Sequence, residues 1–213
     1  MKTINFFKKN FPLFIFLLIS VHSYSQSNEE ETFLMEAKGY KNVIIKSDSL
    51  LKIGKISNFN KQEVIEKKKK LDKQYPLDYL SHSLQYLKEE KYNESAFFYF
   101  LAKMRVADFN ANSIHHHYEG LGSDSENFLN EVVVTYLAID INNYKNILQE
   151  SVDYYDKNYH SFFKNDKKYK KTEDPMEYRK IITEFELNPE KTSGELKEFW
   201  DDMATKIKNY FPY

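Results

Sequence analysis

Cysteine is absent from the 213 residues, and glycine and proline are scarce, at five each. Without cysteine the chain forms no disulfide bond, no catalytic thiolate and no lipid-modified N-terminal cysteine. So few glycines and prolines also argue against an all-β fold, which needs many turns. Arginine is nearly absent as well, at Arg105 and Arg179 only, and the net charge of −1 is not that of a strongly basic protein.

The first 25 residues have the three-part pattern of a secretory signal peptide. An apolar stretch over residues 11–21 is followed by small residues at Ser23 and Ser25, the positions that a signal peptidase reads. The basic residues that precede the stretch are Lys2, Lys8 and Lys9. The stretch is about half of the ~20 residues that a membrane-spanning helix requires. We therefore predict cleavage between Ser25 and Gln26, and export to the periplasm or the extracellular space.

Cleavage at this position would leave an acidic mature chain. Removing residues 1–25 takes away three lysines and no acidic residue, so 28 basic side chains face 32 acidic ones, a net charge of −4. This balance argues against a nucleic-acid partner, which a basic stripe would indicate. No later segment is long and apolar enough to cross a bilayer, so we expect no membrane span in the mature chain.

Seventeen phenylalanines and seventeen tyrosines supply apolar surface for a core. Apolar residues recur every three or four positions through most of residues 60–213, which predicts an all-α fold. We expect antiparallel helical hairpins that pack as a bundle or a short α-solenoid, in a single helical domain over residues 60–213. The pattern defines residues 26–59 poorly. Within them, residues 43–45 fit either a short strand or an apolar strip packed along the domain.

Six or seven helices follow from this pattern and its start signals. Five are expected near residues 60–75, 77–90, 94–109, 128–141 and 143–163. Asp174 before Pro175 is a cap followed by proline at the first helical position, which predicts another helix start. Thr192 and Glu195 have the spacing of a capping box and predict the start of the last helix.

The segment 94–109 is apolar on nearly every side, which is typical of a buried central helix. Arg105 is the exception within this segment. A guanidinium group is almost never buried without a partner. We therefore expect Arg105 either to reach the surface or to pair with an acidic residue inside the protein.

The start of this central helix carries four spaced residues, Tyr92, Ser95, Tyr99 and Ala102, after an amphipathic helix that ends at Glu90. In this spacing residues 77–107 resemble a tetratricopeptide repeat, and residues 129–156 echo it about fifty residues later. Glu90 stands where the repeat has glycine and Ser95 where it has alanine. The same spacing also suits any tight helical hairpin. The resemblance implies protein or peptide binding on a concave face.

These features favour an exported helical module that binds an unknown protein or peptide. We expect the binding groove near four side chains, Tyr86, Tyr92, Tyr99 and Arg105. A periplasmic immunity or inhibitor protein is one form of this hypothesis, because such proteins are often small, helical and acidic. No phosphate-binding loop, nucleophile elbow or other catalytic motif is found, so we expect no cofactor and prefer a non-enzyme.

The alternative function is a metal-dependent enzyme built on three consecutive histidines. His115, His116 and His117 precede Glu119, and Asp124 or His160 could supply a further ligand. Zinc sites usually draw ligands from spaced positions on one face, and His-Glu-x-x-His is absent, so a solvated loop is the competing interpretation. A second polar row, Glu150, Asp153, Asp156 and His160, is expected to be a solvated helix face.

Overall fold

The structure is a computed structural model that describes residues 26–54, 56, 59, 61–67, 71–112, 123–158, 160 and 176–210. Within these residues it contains eight α-helices, one turn of 3-10 helix at Leu71–Lys73, and no strand. The all-α prediction is therefore confirmed. The helices are α1 (Gln26–Ile53), α2 (Lys61–Lys67), α3 (Pro76–Lys88), α4 (Tyr92–Asn112), α5 (Ser123–Leu137), α6 (Ile141–Lys157), α7 (Met176–Leu187) and α8 (Pro189–Tyr210).

The chain divides into two compact units, residues 1–36 and 37–213. Of the first unit only residues 26–36, the beginning of α1, are described. The predicted signal peptide lies outside the described residues. The second unit begins before residue 60, because it includes the remainder of α1, where Val43 and Ile44 are fully buried.

Residues 43–45 are part of helix α1, so the strand considered for them is wrong, while Val43 and Ile44 are packed as the alternative, an apolar strip, expects. Tyr40, Val43, Ile44 and Ser47 follow one another at the spacing of a single helix face, and the last three are fully buried. The helix ends at Ile53, and the next residue, Gly54, has a φ of 66°, the left-handed conformation that favours glycine at this position. The apolar run was ambiguous because three consecutive β-branched residues fit a strand as well as one turn of a helix.

Helix α4 is the central helix of the second unit, as its apolar sequence predicts. Residues on all its sides are buried, including Phe97, Phe98, Leu101 and Met104. It packs against α3, α5 and α6, and Phe100 also contacts Tyr178 of α7 at 5.7 Å between ring centroids. A helix surrounded in this way has no wide polar face, which explains the uninterrupted apolar pattern.

Helices α3 and α4 form a tight antiparallel hairpin. Ser83 and Ser95 face each other at the crossing, and each hydroxyl donates to the backbone carbonyl of the other residue, at 2.7 and 2.9 Å. Both serines are fully buried, so the two backbones approach closely. Glu90 in the turn has a φ of 57°, the left-handed conformation in which glycine is most easily accommodated.

Helices α5 and α6 form the next hairpin, joined at residues 138–140. The carboxylate of Asp140 caps α6 by accepting from the backbone N–H groups of Asn142 and Asn143 at 2.8 and 3.0 Å. Ile141 therefore belongs to α6 and not to the preceding helix. Helix α6 lies parallel to α4, since Asn143 bonds Asn93 at one end and Asn158 accepts from Arg105 at the other.

Helices α7 and α8 complete the unit. Phe185 of α7 packs on Tyr144 of α6, with ring centroids 5.1 Å apart. Helix α8 begins at Pro189, so the predicted start near Thr192 is wrong. Asn188 before Pro189 is itself a helix-start signal, since proline is well accommodated in the first turn. Asp174 and Pro175 lie outside the described residues, and α7 begins directly after them at Met176.

Candidate functional site

The four side chains predicted to line a binding groove are all buried between helices. Tyr86 stacks on Phe98, and Tyr92 stacks on Tyr136 with ring centroids 4.8 Å apart. The hydroxyl of Tyr99 donates to Oδ1 of Asn130 at 2.9 Å. Arg105 is only 1% exposed. The groove near these side chains stays a prediction, since none of the four is exposed in this structure.

Arg105 is the centre of a buried polar cluster. Its Nη2 donates to the backbone carbonyl of Asn158 at 2.8 Å and lies 3.5 Å from Oδ1 of Asp72. The guanidinium carbon lies 5.1 Å from the ring centroid of Tyr155, within cation–π range. Of the two alternatives expected for Arg105, the structure therefore has the pairing with an acid, although Asp72 itself is half-buried, with 30% of its side chain exposed.

Two tyrosines at the end of α6 hold the acidic members of this cluster. The hydroxyl of Tyr154 contacts both carboxylate oxygens of Asp72, at 3.0 and 3.1 Å. The hydroxyl of Tyr155 donates to Oδ1 of Asp108 at 2.7 Å. Burial raises the pKa of Asp72, while the hydrogen bond from Tyr154 and the charge of Arg105 act in the opposite direction.

Tyr79 and His160 close the cluster on its other side. The hydroxyl of Tyr79 donates to the carbonyl of Leu71 at 2.7 Å, and burial raises the pKa of Tyr79 well above its usual range. Nε2 of His160 lies 2.9 Å from the carbonyl oxygen of Gln74. Because a carbonyl only accepts, Nε2 carries the proton. Burial lowers the pKa of His160 to about 4, so the ring is neutral at pH 7.

The arrangement joins four separate parts of the chain. The 3-10 turn supplies Asp72, α3 supplies Tyr79, and α4 supplies Arg105 and Asp108. The end of α6 and the residues that follow it supply Tyr154, Tyr155, Asn158 and His160. The tyrosine hydroxyls and the neutral imidazole surround the ion pair between Arg105 and Asp72. Such a cluster stabilises a buried cation and fixes the position of the connecting segments.

Sequence reasoning identified Arg105 but not its partners. Asp108, which accepts from Tyr155, lies three residues later on the same helix, so the spacing alone could have indicated it as a further member of the cluster. Asp72 lies 33 residues earlier and has no local signal that connects it to Arg105.

The histidines proposed as metal ligands, residues 115–117, and Glu119 lie outside the described residues, and the side chain of Asp124 is not described either. Among the residues that are described, no group of three or more His, Asp or Glu side chains could hold a metal ion.

The polar row of α6 is a solvated face only in part. Asp153 pairs with Lys157, Asp156 with Arg179, and Glu150 with Lys61. His160 does not belong to this row, because α6 ends at Lys157 and the imidazole is buried. The helix expected near residues 143–163 thus ends at Lys157, three residues before His160.

A second candidate site is the surface on which α1 is seated. Phe128 and Glu131 of α5 contact Tyr40: the two rings meet edge to face at 5.1 Å, and the Tyr40 hydroxyl donates to Oε2 of Glu131. Asn42 donates to Glu90 at 3.3 Å. We name Glu90, Phe128 and Glu131 the α1-binding surface.

The charges around the α1-binding surface come from two neighbouring helices. Burial raises the pKa of Glu131, against the hydrogen bond from Tyr40 and the positive charge of Lys206 in α8. The pKa of Asp48 in α1 is lowered first by its hydrogen bond from Lys52 and further by the charge of Lys208. Helix α1 thus combines a narrow buried apolar face, Val43 and Ile44, with the hydrogen bonds of Tyr40 and Asn42.

Comparison with known proteins identifies no relative: no family model, curated protein or solved structure matches the chain. Among the described helices, none is both long and apolar enough to cross a membrane.

Proposed function

We propose that the protein is an exported helical module that binds a helical segment of a partner protein. The signal-peptide pattern supports export, and the likeness of residues 77–107 to a tetratricopeptide repeat supports protein binding. The observation that carries the proposal is the seating of α1 on the α1-binding surface through one face.

This contact has the features of helix-in-groove recognition. Tyr40, Val43, Ile44 and Ser47 are spaced as the i, i+3, i+4 and i+7 anchors of an amphipathic helix. Phe128 provides an aromatic contact and Glu131 a directional hydrogen bond. A surface that holds one amphipathic helix in this way has the chemistry to hold another. An immunity or inhibitor role is one form of this proposal, supported by the acidic balance of the mature chain.

Capture from the envelope fraction tests the proposal. The wild-type protein and Leu187→Ala, a change at an exposed residue of α7, should recover the same partner. Glu131→Lys reverses the charge of the α1-binding surface and should lose that partner while keeping a helical circular dichroism spectrum. Mass spectrometry of the exported protein should show an N-terminus at Gln26. Repeated captures in which all three proteins return the same background would refute the binding role.

A further inference from the structure

The side of α1 that faces away from the α1-binding surface carries lysines and isoleucines together. Ile45, Ser49 and Ile53 follow one another at intervals of four residues, so they lie along one line of the helix. Ile45 is 42% exposed and Ile53 is 68% exposed. Each exposed lysine on this side is seven residues, about two turns, from one of the isoleucines. We name six exposed residues the outer face of α1: Lys38, Ile45, Lys46, Ser49, Lys52 and Ile53.

The fold does not account for the two isoleucines of the outer face. A β-branched side chain loses rotational freedom in a helix, so helix propensity does not favour isoleucine at an exposed position. Neither Ile45 nor Ile53 contributes to the buried core of the second unit. Exposed aliphatic residues flanked by lysines on one helix face are typical of a helix that lies on a membrane surface.

The charge of this part of α1 is opposite to that of the rest of the chain. Residues 37–54 contain four lysines and one acidic residue, whereas the remainder of the predicted mature chain contains 24 basic and 31 acidic side chains. The one acidic residue, Asp48, is paired with Lys52 at 2.6 Å. The pKa of Asp48 is lowered by this hydrogen bond and by the charges of Lys52 and Lys208, so Lys208 of α8 adds a positive charge nearby. Such a local positive face is complementary to the phosphate groups of anionic lipids.

We propose that the outer face of α1 binds the surface of a membrane that contains anionic phospholipids. Lys38, Lys46 and Lys52 contact the phosphate groups, and the two isoleucines enter the boundary between headgroups and acyl chains. Helix α1 stays seated on the α1-binding surface, because its attached face is on the opposite side. The inference is therefore independent of the partner binding proposed above. The isoleucines favour a lipid surface over an acidic protein or polymer, which offers no apolar layer to bury them.

Co-sedimentation of the exported protein with lipid vesicles tests the charges. Vesicles of phosphatidylglycerol and phosphatidylcholine in equal parts should bind the wild type at least ~10-fold more tightly than vesicles of phosphatidylcholine alone, and high salt should remove the difference. Replacing the three lysines of the outer face together by glutamine should weaken binding to the anionic vesicles at least ~10-fold.

The matched control for the lysines changes the net charge by the same amount at exposed positions of α7 and α8. It combines three substitutions and should bind anionic vesicles as the wild type does: Lys180→Gln, Lys191→Gln and Lys197→Gln. Both triple variants should keep the helical circular dichroism spectrum of the wild type. Equal binding of the wild type to both kinds of vesicle, or equal losses in the two triple variants, would overturn the proposal.

The same assay tests the isoleucines. Ile45→Gln combined with Ile53→Gln should weaken binding to anionic vesicles about 10-fold, because the apolar side chains no longer leave water on binding. Met176→Gln combined with Leu187→Gln, at two exposed hydrophobic residues of α7, is the matched control and should bind as the wild type does.

A fluorescent label measures the depth of the contact. The chain has no cysteine, so Ser49→Cys can carry a single polarity-sensitive fluorophore between the two isoleucines, and Ser193→Cys can carry it on an exposed position of α8. On anionic vesicles the emission of the label at residue 49 should shift to shorter wavelength, and that of the label at residue 193 should not. Unchanged binding of the isoleucine variant together with an unshifted label at residue 49 would indicate a site for acidic polymers and overturn the lipid proposal.

Discussion

The only two arginines of the chain occupy opposite environments, which makes them a matched pair for experiment. Arg105 is buried against Asp72 and Tyr155, whereas the side chain of Arg179 is 42% exposed beside Asp156. We expect Arg105→Met to lower the free energy of unfolding by about 3 kcal/mol, because Asp72 loses the cation with which it pairs and the carbonyl of Asn158 loses its donor. Arg179→Met should change it by less than about 1 kcal/mol. Urea denaturation measures both, and equal losses would contradict the structural role of the cluster.

The pKa of His160 gives a pH prediction. Its pKa is lowered to about 4 in the folded protein, while the unfolded chain titrates near the usual 6.5. Above pH 6.5 the imidazole is neutral in both the folded and the unfolded state. Between pH 6.5 and pH 4 the unfolded state binds more protons than the folded state. The free energy of unfolding therefore falls as the pH falls, by about 1 kcal/mol per pH unit at most. The raised pKa values of Asp72 and Glu131 act in the opposite sense.

His160→Gln keeps a donor for the carbonyl of Gln74 and removes the titration. The loss of stability between pH 7 and pH 5 should therefore be about 1–2 kcal/mol smaller in His160→Gln than in the wild type. Denaturation at the two pH values measures this difference. Identical pH dependence in the two proteins would show that the imidazole does not titrate as the structure indicates.

At the scale of elements, α3 and α4 approach each other closely at Ser83 and Ser95. Ser83→Leu should cost about 3 kcal/mol, since a larger side chain forces α3 away from α4, and Ser83→Ala about 1 kcal/mol for the lost hydrogen bond. Ser81→Leu, on the exposed face of α3, is the control and should change stability by about 0.5 kcal/mol or less. Thermal unfolding followed by circular dichroism compares them. If Ser83→Leu leaves the stability unchanged, the hairpin of α3 and α4 can open without loss of stability.

Helix boundaries show what local sequence can predict at this scale. The start of α4 and the turn before it were located to within two residues, because the amphipathic pattern of α3 ends where a short polar turn begins. The predicted start of α8 at Thr192 is too late, since Pro189 after Asn188 is a second start signal close to it. Only packing distinguishes them, and Thr192 is buried inside the helix.

At the scale of the whole second unit, the fluorescence of Trp200, the one tryptophan of the chain, can show whether the unit unfolds cooperatively. Trp200 lies buried on α8, while circular dichroism reports all the helices. Phe185→Ala should lower stability by about 3 kcal/mol, through the loss of its contact with Tyr144, and should shift the fluorescence and circular dichroism transitions together. Leu187→Ala, at a side chain that is 72% exposed, should leave both unchanged. Separate transitions for the two signals would show that α8 unfolds independently.

The local sequence alone determined that the chain is helical, that it has no disulfide bonds, and that α4 is the buried helix. These properties follow from composition and from a period of 3.6 residues, which neighbouring residues express without reference to the rest of the chain. Arg105 was recognised as needing a partner for the same reason, since the cost of burying a charge belongs to the side chain itself.

The tertiary structure alone decided which partner Arg105 has, that residues 43–45 are helical, and that α1 is seated on α5. Asp72 and Arg105 are 33 residues apart, and Tyr40 and Glu131 are 91 apart. Such contacts depend on how helix faces fit against one another, which no local pattern records. The apolar pattern specifies that a face is buried, whereas the choice of the surface that buries it depends on the packing of the whole unit.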